Sequence, residues 1–180
     1  MMHFKVVKFD INHKNEWDTL AELNWGEHTD TDYDLKNNFF ATPDYVVEAR
    51  SNNDLVGIIL LDLREVFIGS HTLNAGMIGG VVVKIDHRHR GIAHQMLEEA
   101  INFLKNRNID LALLCTDVKR LGVLYQKAGF TALKKPYVYT DKTGATCTEA
   151  GGMVRGINTD SQILTKMIEH DEINIGLSNF

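Results

Sequence analysis

Apolar residues along this chain change their period near its middle, and that change organises the elements. The first half carries strand-like runs: Phe4-Lys5-Val6-Val7, then Tyr45 to Arg50, then Leu55 to Leu63. Ser51-Asn52-Asn53-Asp54 is turn chemistry between the last two, and Gly69-Ser70-His71 marks another turn before a strand through Gly76 to Ile85. Two successive hairpins therefore predict a meander of three antiparallel strands. Asn15 to Phe40 is polar with spaced apolar residues (Trp17, Leu20, Leu23, Leu35, Phe39), which predicts one or two short helices around a loop. From Ala93 the period is helical: Ala93, Met96, Leu97, Ala100, Ile101 and Leu104 make one buried stripe, which ends near Asn106-Arg107-Asn108. Ile109 to Cys115 is a near-continuous apolar run, as expected of a strand covered on both faces. Val118 to Ala128 predicts another helix, stopped by Gly129. Phe130 to Leu133 and Thr146 to Ile157 read as further strands, and the tail from Asp160 carries a short helix before it ends in Leu177-Ser178-Asn179-Phe180.

Strands followed by a strand–helix–strand–helix–strand block predict an α+β fold, with a mixed, mostly antiparallel sheet and helices on both faces. No linker, repeat or low-complexity segment interrupts the 180 residues, so a single domain over 1–180 is expected. An apolar fraction of 44% and a charged fraction of 24% suit an ordinary soluble globule. A net charge of −5 argues against a broad nucleic-acid surface and leaves Lys84 to Arg90 as the one clear basic patch. Cys115 and Cys147 suggest free thiols in a reducing compartment rather than a disulfide framework. No apolar run approaches the ~20 residues needed to cross a bilayer, and Met1 to Asp10 has no signal-peptide core. A cytoplasmic protein with no membrane partner is expected.

The densest chemistry lies in Val81-Val82-Val83-Lys84-Ile85-Asp86-His87-Arg88-His89-Arg90-Gly91-Ile92-Ala93. A strand runs through a basic loop directly into a helix start. First-turn N–H groups lack intrahelical partners and the helix dipole is positive there, so the junction is suited to an anion. Arg88, His89 and Arg90 could instead be a solvated turn, but three bases before a helix N-terminus oppose the dipole preference. His87, His89 and His94 lack a carboxylate or cysteine set at ligand spacing, so no metal site is expected. The spacing Arg88-x-x-Gly91-x-Ala93 resembles the pyrophosphate loop of the GCN5-related N-acetyltransferases (GNAT), which use acetyl-CoA. Leu124-Tyr125-Gln126-Lys127-Ala128-Gly129-Phe130 resembles a later motif of the same fold, at a suitable separation.

That resemblance implies roles. Arg88, His89, Arg90, Gly91, Ile92, Ala93 and His94 would hold the pyrophosphate of acetyl-CoA. Val81, Val82 and Val83 would splay from the neighbouring strand and pair by backbone with the pantetheine arm. Tyr125 would protonate the departing thiolate, although its helical spacing from Leu121 and Leu124 also fits a core position. A homodimer through edge strands is frequent in the family. The acceptor would be a small amine. Between Asn15 and Leu35 the acids Glu16, Asp18, Glu22, Glu27, Asp30, Asp32 and Asp34 stand without Lys or Arg. They are either a solvated face or a rim that attracts a cation.

Over most of its length the chain is also similar to the aminoglycoside 2′-N-acetyltransferases. The shared features are Trp25 with Glu27-His28, Gly80-Val81-Val82-Val83, Lys119-Arg120 before Leu124-Tyr125, Met153 to Ile157 leading into Asn158-Thr159, and an aromatic end at Phe180. In that group the terminal carboxylate lies near the drug amines, which implies an acceptor side containing Trp25, Asp30, Asp32, Asp34 and Phe180. This chain departs at Gly79, where that group has a glutamate considered a remote base, and at Asn179, where it often has aspartate. It departs also at Val118, where many acetyltransferases carry asparagine. Transfer of a longer acyl chain and a CoA-binding module without chemistry remain open beside acetyl transfer. Candidate bases are Glu48, Asp62, Glu65 and His71.

Overall fold

The computed structural model describes residues 1–25, 42–169 and 171–180. Its strands form a ten-stranded mixed sheet. β2 (Tyr45–Ser51), β3 (Asp54–Ile68) and β4 (His71–Val83) are the three-stranded antiparallel meander that the turn chemistry predicts, and β1 (Met2–Lys8) adds antiparallel to β2. β3 extends beyond the predicted Leu63, and β4 both starts and ends earlier than Gly76 to Ile85. A short 3-10 turn, Ile85–His87, takes the place of the last strand residues. Helix α1 (Lys14–Trp25) fills part of the expected helical region.

After the basic loop come α2 (Ile92–Lys105), β5 (Leu111–Cys115) and α3 (Val118–Lys127), close to their predicted bounds. β5 is parallel to β4. β6 (Thr131–Ala132) is short, and the run read as one strand from Thr146 divides into β8 (Thr146–Glu149) and β9 (Gly152–Gly156). The apolar pattern missed β7 (Tyr137–Thr140), and it missed β10 (Ile173–Leu177), which follows α4 (Ser161–Glu169). β10 lies between β3 and β7, antiparallel to the first and parallel to the second.

Strand parity assigns the two faces. Ile59, Leu61, Ile78, Ala112 and Leu114 point to one side, where Met96, Leu97, Ala100, Ile101 and Leu104 of α2 and Tyr125 of α3 cover them. Ile58 and Val82 point to the other side under Trp17 and Leu20 of α1. Farther along that face, Val66, Ile68, Met77, Leu111 and Leu113 pack with Met167 of α4. Each such aliphatic side chain contributes about 1.5–3 kcal/mol on burial. The fit of α2 is close: a Cβ on Gly76 would lie 2.5 Å from Leu104 Cδ1.

β3 changes partner along its length. Its first half pairs with β2 as far as Tyr45 opposite Leu61, and β10 takes over at Phe67 and Ile68. Side chains bridge the interval. Leu63 N–H donates to Asp44 Oδ2 at 2.8 Å, and Arg64 Nη1 donates to the carbonyls of Ile175, Leu177 and Ser178 at 3.3, 3.0 and 3.1 Å.

Candidate active site

β4 positions the site. Its ladder with β5 runs from Ala75 opposite Leu111 to Ile78 opposite Leu114, and β4 then continues to Val83 while β5 stops at Cys115. On the β3 side, Gly79 is opposite Leu60 and Val82 opposite Ile58, so β4 carries one extra residue there. This bulge turns on Gly80 at φ 56°, where a Cβ would come within 2.7 Å of Leu60 Cγ. Val82 and Val83 are buried in core and Val81 is half-buried, so any ligand contact by the first two is through backbone.

Beyond Val83 the loop folds on itself. Arg88 Nε donates to Val83 O at 3.0 Å, Arg90 Nη2 to Asp86 O at 2.9 Å, and His87 Nδ1 lies 2.8 Å from Asp86 Oδ1. The His87 contact holds the Asp86 carboxyl below its usual range. His89 adopts φ 62° and Gly91 φ 76°, bending the chain into α2. Gly91 is the N-cap residue of α2 and supplies no side-chain cap. Nothing lies within 4 Å of a Cβ built on it. Arg88, His89, Arg90, Gly91 and His94 are exposed there, whereas Ile92 belongs to the core. The result is an open, basic helix start that approaching anion oxygens can reach.

Tyr125 is 5% exposed and packs edge-on to Phe130. Burial pushes its phenol up from the usual value, and a hydrogen bond with the Thr116 side chain pulls the other way. The group is therefore a firmly protonated acid at neutral pH. Thr116 follows the last residue of β5, which brings this hydroxyl to the strand end where β4 and β5 part.

On the α1 face, a cavity of about 500 Å³ adjoins the bulge, with Phe9, Trp17, Ile58, Leu60, Asp62, Met77, Gly79, Gly80 and Phe180 among its walls. Phe180 is thus a wall residue, and a Cβ on Gly79 would lie 3.3 Å from its main-chain carbonyl carbon. Glycine at 79 leaves room for Phe180. Asn179, the other departure, accepts the hydroxyl of fully buried Tyr137 at 2.9 Å and so holds the segment down. Val118 is the first residue of α3, whose N-terminus is capped by Asp117 Oδ1 accepting from Lys119 and Arg120 N–H at 3.1 and 3.2 Å.

The candidate bases separate. Glu48 is saturated: Trp17 Nε1 donates at 2.9 Å, Arg50 Nε at 2.9 Å and Nη2 at 3.1 Å, and Lys5 Nζ lies 3.3 Å away. Burial alone would raise its carboxyl, but these hydrogen bonds and charges outweigh it and hold the group at about 2. Glu65 and His71 are exposed, and His71 lies at the start of β4, away from the bulge. Asp62 lines the cavity. Of the expected acceptor residues, Asp30, Asp32 and Asp34 lie outside the described residues, as does the side chain of Trp25, whose backbone closes α1.

No curated protein matches the sequence significantly. Solved structures share the fold. Escherichia coli ElaA superposes with a TM-score of 0.61 at 16% identity over 86% of this chain and 99% of that one. A GNAT family acetyltransferase from Brucella melitensis, in complex with acetyl-CoA, gives 0.53 at 17% identity over 72% and 84%. Eis1 from Mycobacterium abscessus gives 0.60 at 13% identity over 77% of this chain, which spans only 33% of that longer protein. The family model described as an acetyltransferase (GNAT) domain matches residues 13–132. That match covers more than half of the sequence, and the chain therefore belongs to the GNAT acetyltransferases and is an acyltransferase.

Proposed function

We propose that residues 1–180 act as one domain that moves an acetyl group from acetyl-CoA to a primary amine of a small cationic acceptor, by direct attack in a ternary complex. One observation carries this reading. β4 borders the acceptor-sized cavity at Gly79 and Gly80 and, through Val83 and the basic loop, leads into the uncapped helix start at Gly91. Donor and acceptor bound at these places would meet at the bulge.

Each residue then has a task. First-turn N–H groups of Ile92, Ala93 and His94 receive the pyrophosphate, with Arg88, His89 and Arg90 supplying charge. The backbone of Val81 to Val83 holds the pantetheine amides as a neighbouring strand would. The acceptor's ammonium group gives up a proton to solvent, and the amine's lone pair attacks the thioester carbonyl. The nitrogen sheds a second proton to solvent as the carbon–sulfur bond breaks, and Tyr125 gives the thiolate its proton and regains one from solvent. Trp25, Asp30, Asp32, Asp34 and Phe180 form the acceptor side, and the similarity to the aminoglycoside 2′-N-acetyltransferases makes a polyamine or aminoglycoside the first acceptor to try. The free thiols Cys115 and Cys147 support a reducing, cytoplasmic setting.

Thiol release from acetyl-CoA in the presence of an amine panel tests this reading. Amine-dependent CoA release, with the mass of a monoacetylated amine, is expected. Acetyl-CoA binding without turnover on any amine would leave a CoA-binding module instead, and faster turnover with long acyl-CoA would make the chain a longer-chain acyltransferase.

A further inference from the structure

We infer that the cavity beside Gly79 takes a primary amine with an apolar body, its ammonium group seated on Asp62. The inference rests on the acetyl-transfer reading and, from the cavity walls, puts a monoamine with an apolar body in place of the polyamine or aminoglycoside that the resemblance brings forward.

The cavity walls are mainly apolar: Phe9, Trp17, Ile58, Leu60, Met77 and Phe180. Among the described lining side chains the charged ones are Lys14, Asp18 and Asp62, and the main-chain carboxylate of Phe180 lies beside Gly79. Lys14 and Asp18 are paired with each other one helical turn apart, with about half of each side chain in solvent. Asp62 is different. Its side chain is 15% exposed, and it follows Ile58 and Leu60 on the same face of β3, opposite Met77 and next to the bulge.

Arg64 holds that carboxylate from one side. Its Nε donates to Asp62 Oδ2 at 2.6 Å and its Nη2 donates to the same oxygen. Its Nη1 is spent on the carbonyls of Ile175, Leu177 and Ser178. No hydrogen bond reaches Asp62 Oδ1 among the described residues. Burial raises the Asp62 carboxyl, Arg64 lowers it by charge and hydrogen bond, and Asp44 raises it, leaving it above the usual range. An arriving ammonium ion supplies Oδ1 with the donor that no described residue gives it. A polyhydroxylated polycation would leave its hydroxyl and remaining ammonium groups against Phe, Trp, Leu and Met side chains, which costs free energy. An alkyl or aryl body gains from the same walls. Arg64 also fixes the segment bearing Phe180, so the clamp that orients the anion holds the far wall of the cavity.

The experiment is calorimetry of n-hexylamine, n-hexanol and spermidine against the CoA-loaded parent, Asp62→Asn and Asp62→Ser, with acetyl-CoA affinity measured on each. Hexylamine should bind the parent and lose at least about tenfold in affinity in both variants. Hexanol should not distinguish parent from variants, and acetyl-CoA affinity should be unchanged. Hexylamine that fails to bind, or that binds the variants as tightly as the parent, overturns the assignment of Asp62. Spermidine binding more tightly than hexylamine overturns the apolar body. A parent that does not bind acetyl-CoA overturns the acetyl-transfer reading, and this inference falls with it.

Discussion

Gly91 combines a positive φ of 76° with open space where a side chain would stand. The two properties separate in two variants. Gly91→Ala pays the left-handed backbone strain, about 1–2 kcal/mol, which thermal or denaturant unfolding should register. It adds little bulk, so acetyl-CoA affinity should fall less than in Gly91→Glu. At Tyr125, replacement by Phe keeps the ring against Phe130 and removes the hydroxyl. Turnover should fall by roughly 10²-fold, with stability changed by about 1 kcal/mol for the lost hydrogen bond to Thr116. A parent-like rate in Tyr125→Phe would make this a packing residue. At this scale the basic loop and its turn into α2 were legible, because its residues are contiguous and their chemistry is local. The packing of Gly79 against Phe180 and the Tyr137–Asn179 hydrogen bond were not. Each joins residues far apart in the chain, and no period or spacing carries such a pairing. Asp62 was visible only as one of several strand acids until the cavity singled it out.

Helix α1 is fastened to the sheet by more than apolar contact. Glu48 on β2 accepts from Trp17 Nε1 of α1 at 2.9 Å, and Arg50 beside it pairs with Glu16 of α1 at 2.7 Å. The Arg50 guanidinium is held more firmly protonated by hydrogen bonds from its side to Glu48 and Glu16. With the Glu48 carboxyl at about 2 in the folded protein, its contribution to stability is complete above the unfolded value. It is lost as pH falls from ~4.3 towards that folded value, and amounts to roughly 3 kcal/mol. Glu48→Gln should therefore be less stable than the parent at neutral pH, and the two should converge in acid. Equilibrium unfolding at a series of pH values measures this, and a gap that persists in strong acid would contradict it. Because α1 lines the cavity, the variant should also raise the acceptor KM. The helices were legible from their 3.6-residue stripes, and α2 and α3 fall within a residue or two of the predicted bounds. β10 was not: Ile173-Asn174-Ile175-Gly176-Leu177 is short, contains Gly and Asn, and owes its strand state to pairing with β3 and β7. β7 is a four-residue strand with Tyr137, Val138 and Tyr139 all buried, too short to show a period.

Across the whole molecule, a net charge of −5 coexists with a basic loop confined to Lys84 through Arg90. On the proposed reading an anionic donor is drawn to that one place, and the acids between Asn15 and Leu35 draw a cationic acceptor. Replacing Asp30, Asp32 and Asp34 together by Asn should raise the KM for a cationic acceptor at low salt and leave acetyl-CoA affinity unchanged. Added salt should shrink the difference, because exposed charges are screened within ~10 Å at 0.1 M. An equal KM at low salt would reduce these acids to a solvated surface. The central claim is that the strand end and helix start around Gly91 form the acetyl-CoA site of this acyltransferase. Calorimetric titration of acetyl-CoA into the parent, Gly91→Ala and Gly91→Glu tests it most directly. The account predicts one molecule bound per chain by the parent and affinity at least about tenfold weaker, roughly 1.4 kcal/mol, in folded Gly91→Glu. Undiminished affinity in folded Gly91→Glu, or no binding by the parent, would contradict it.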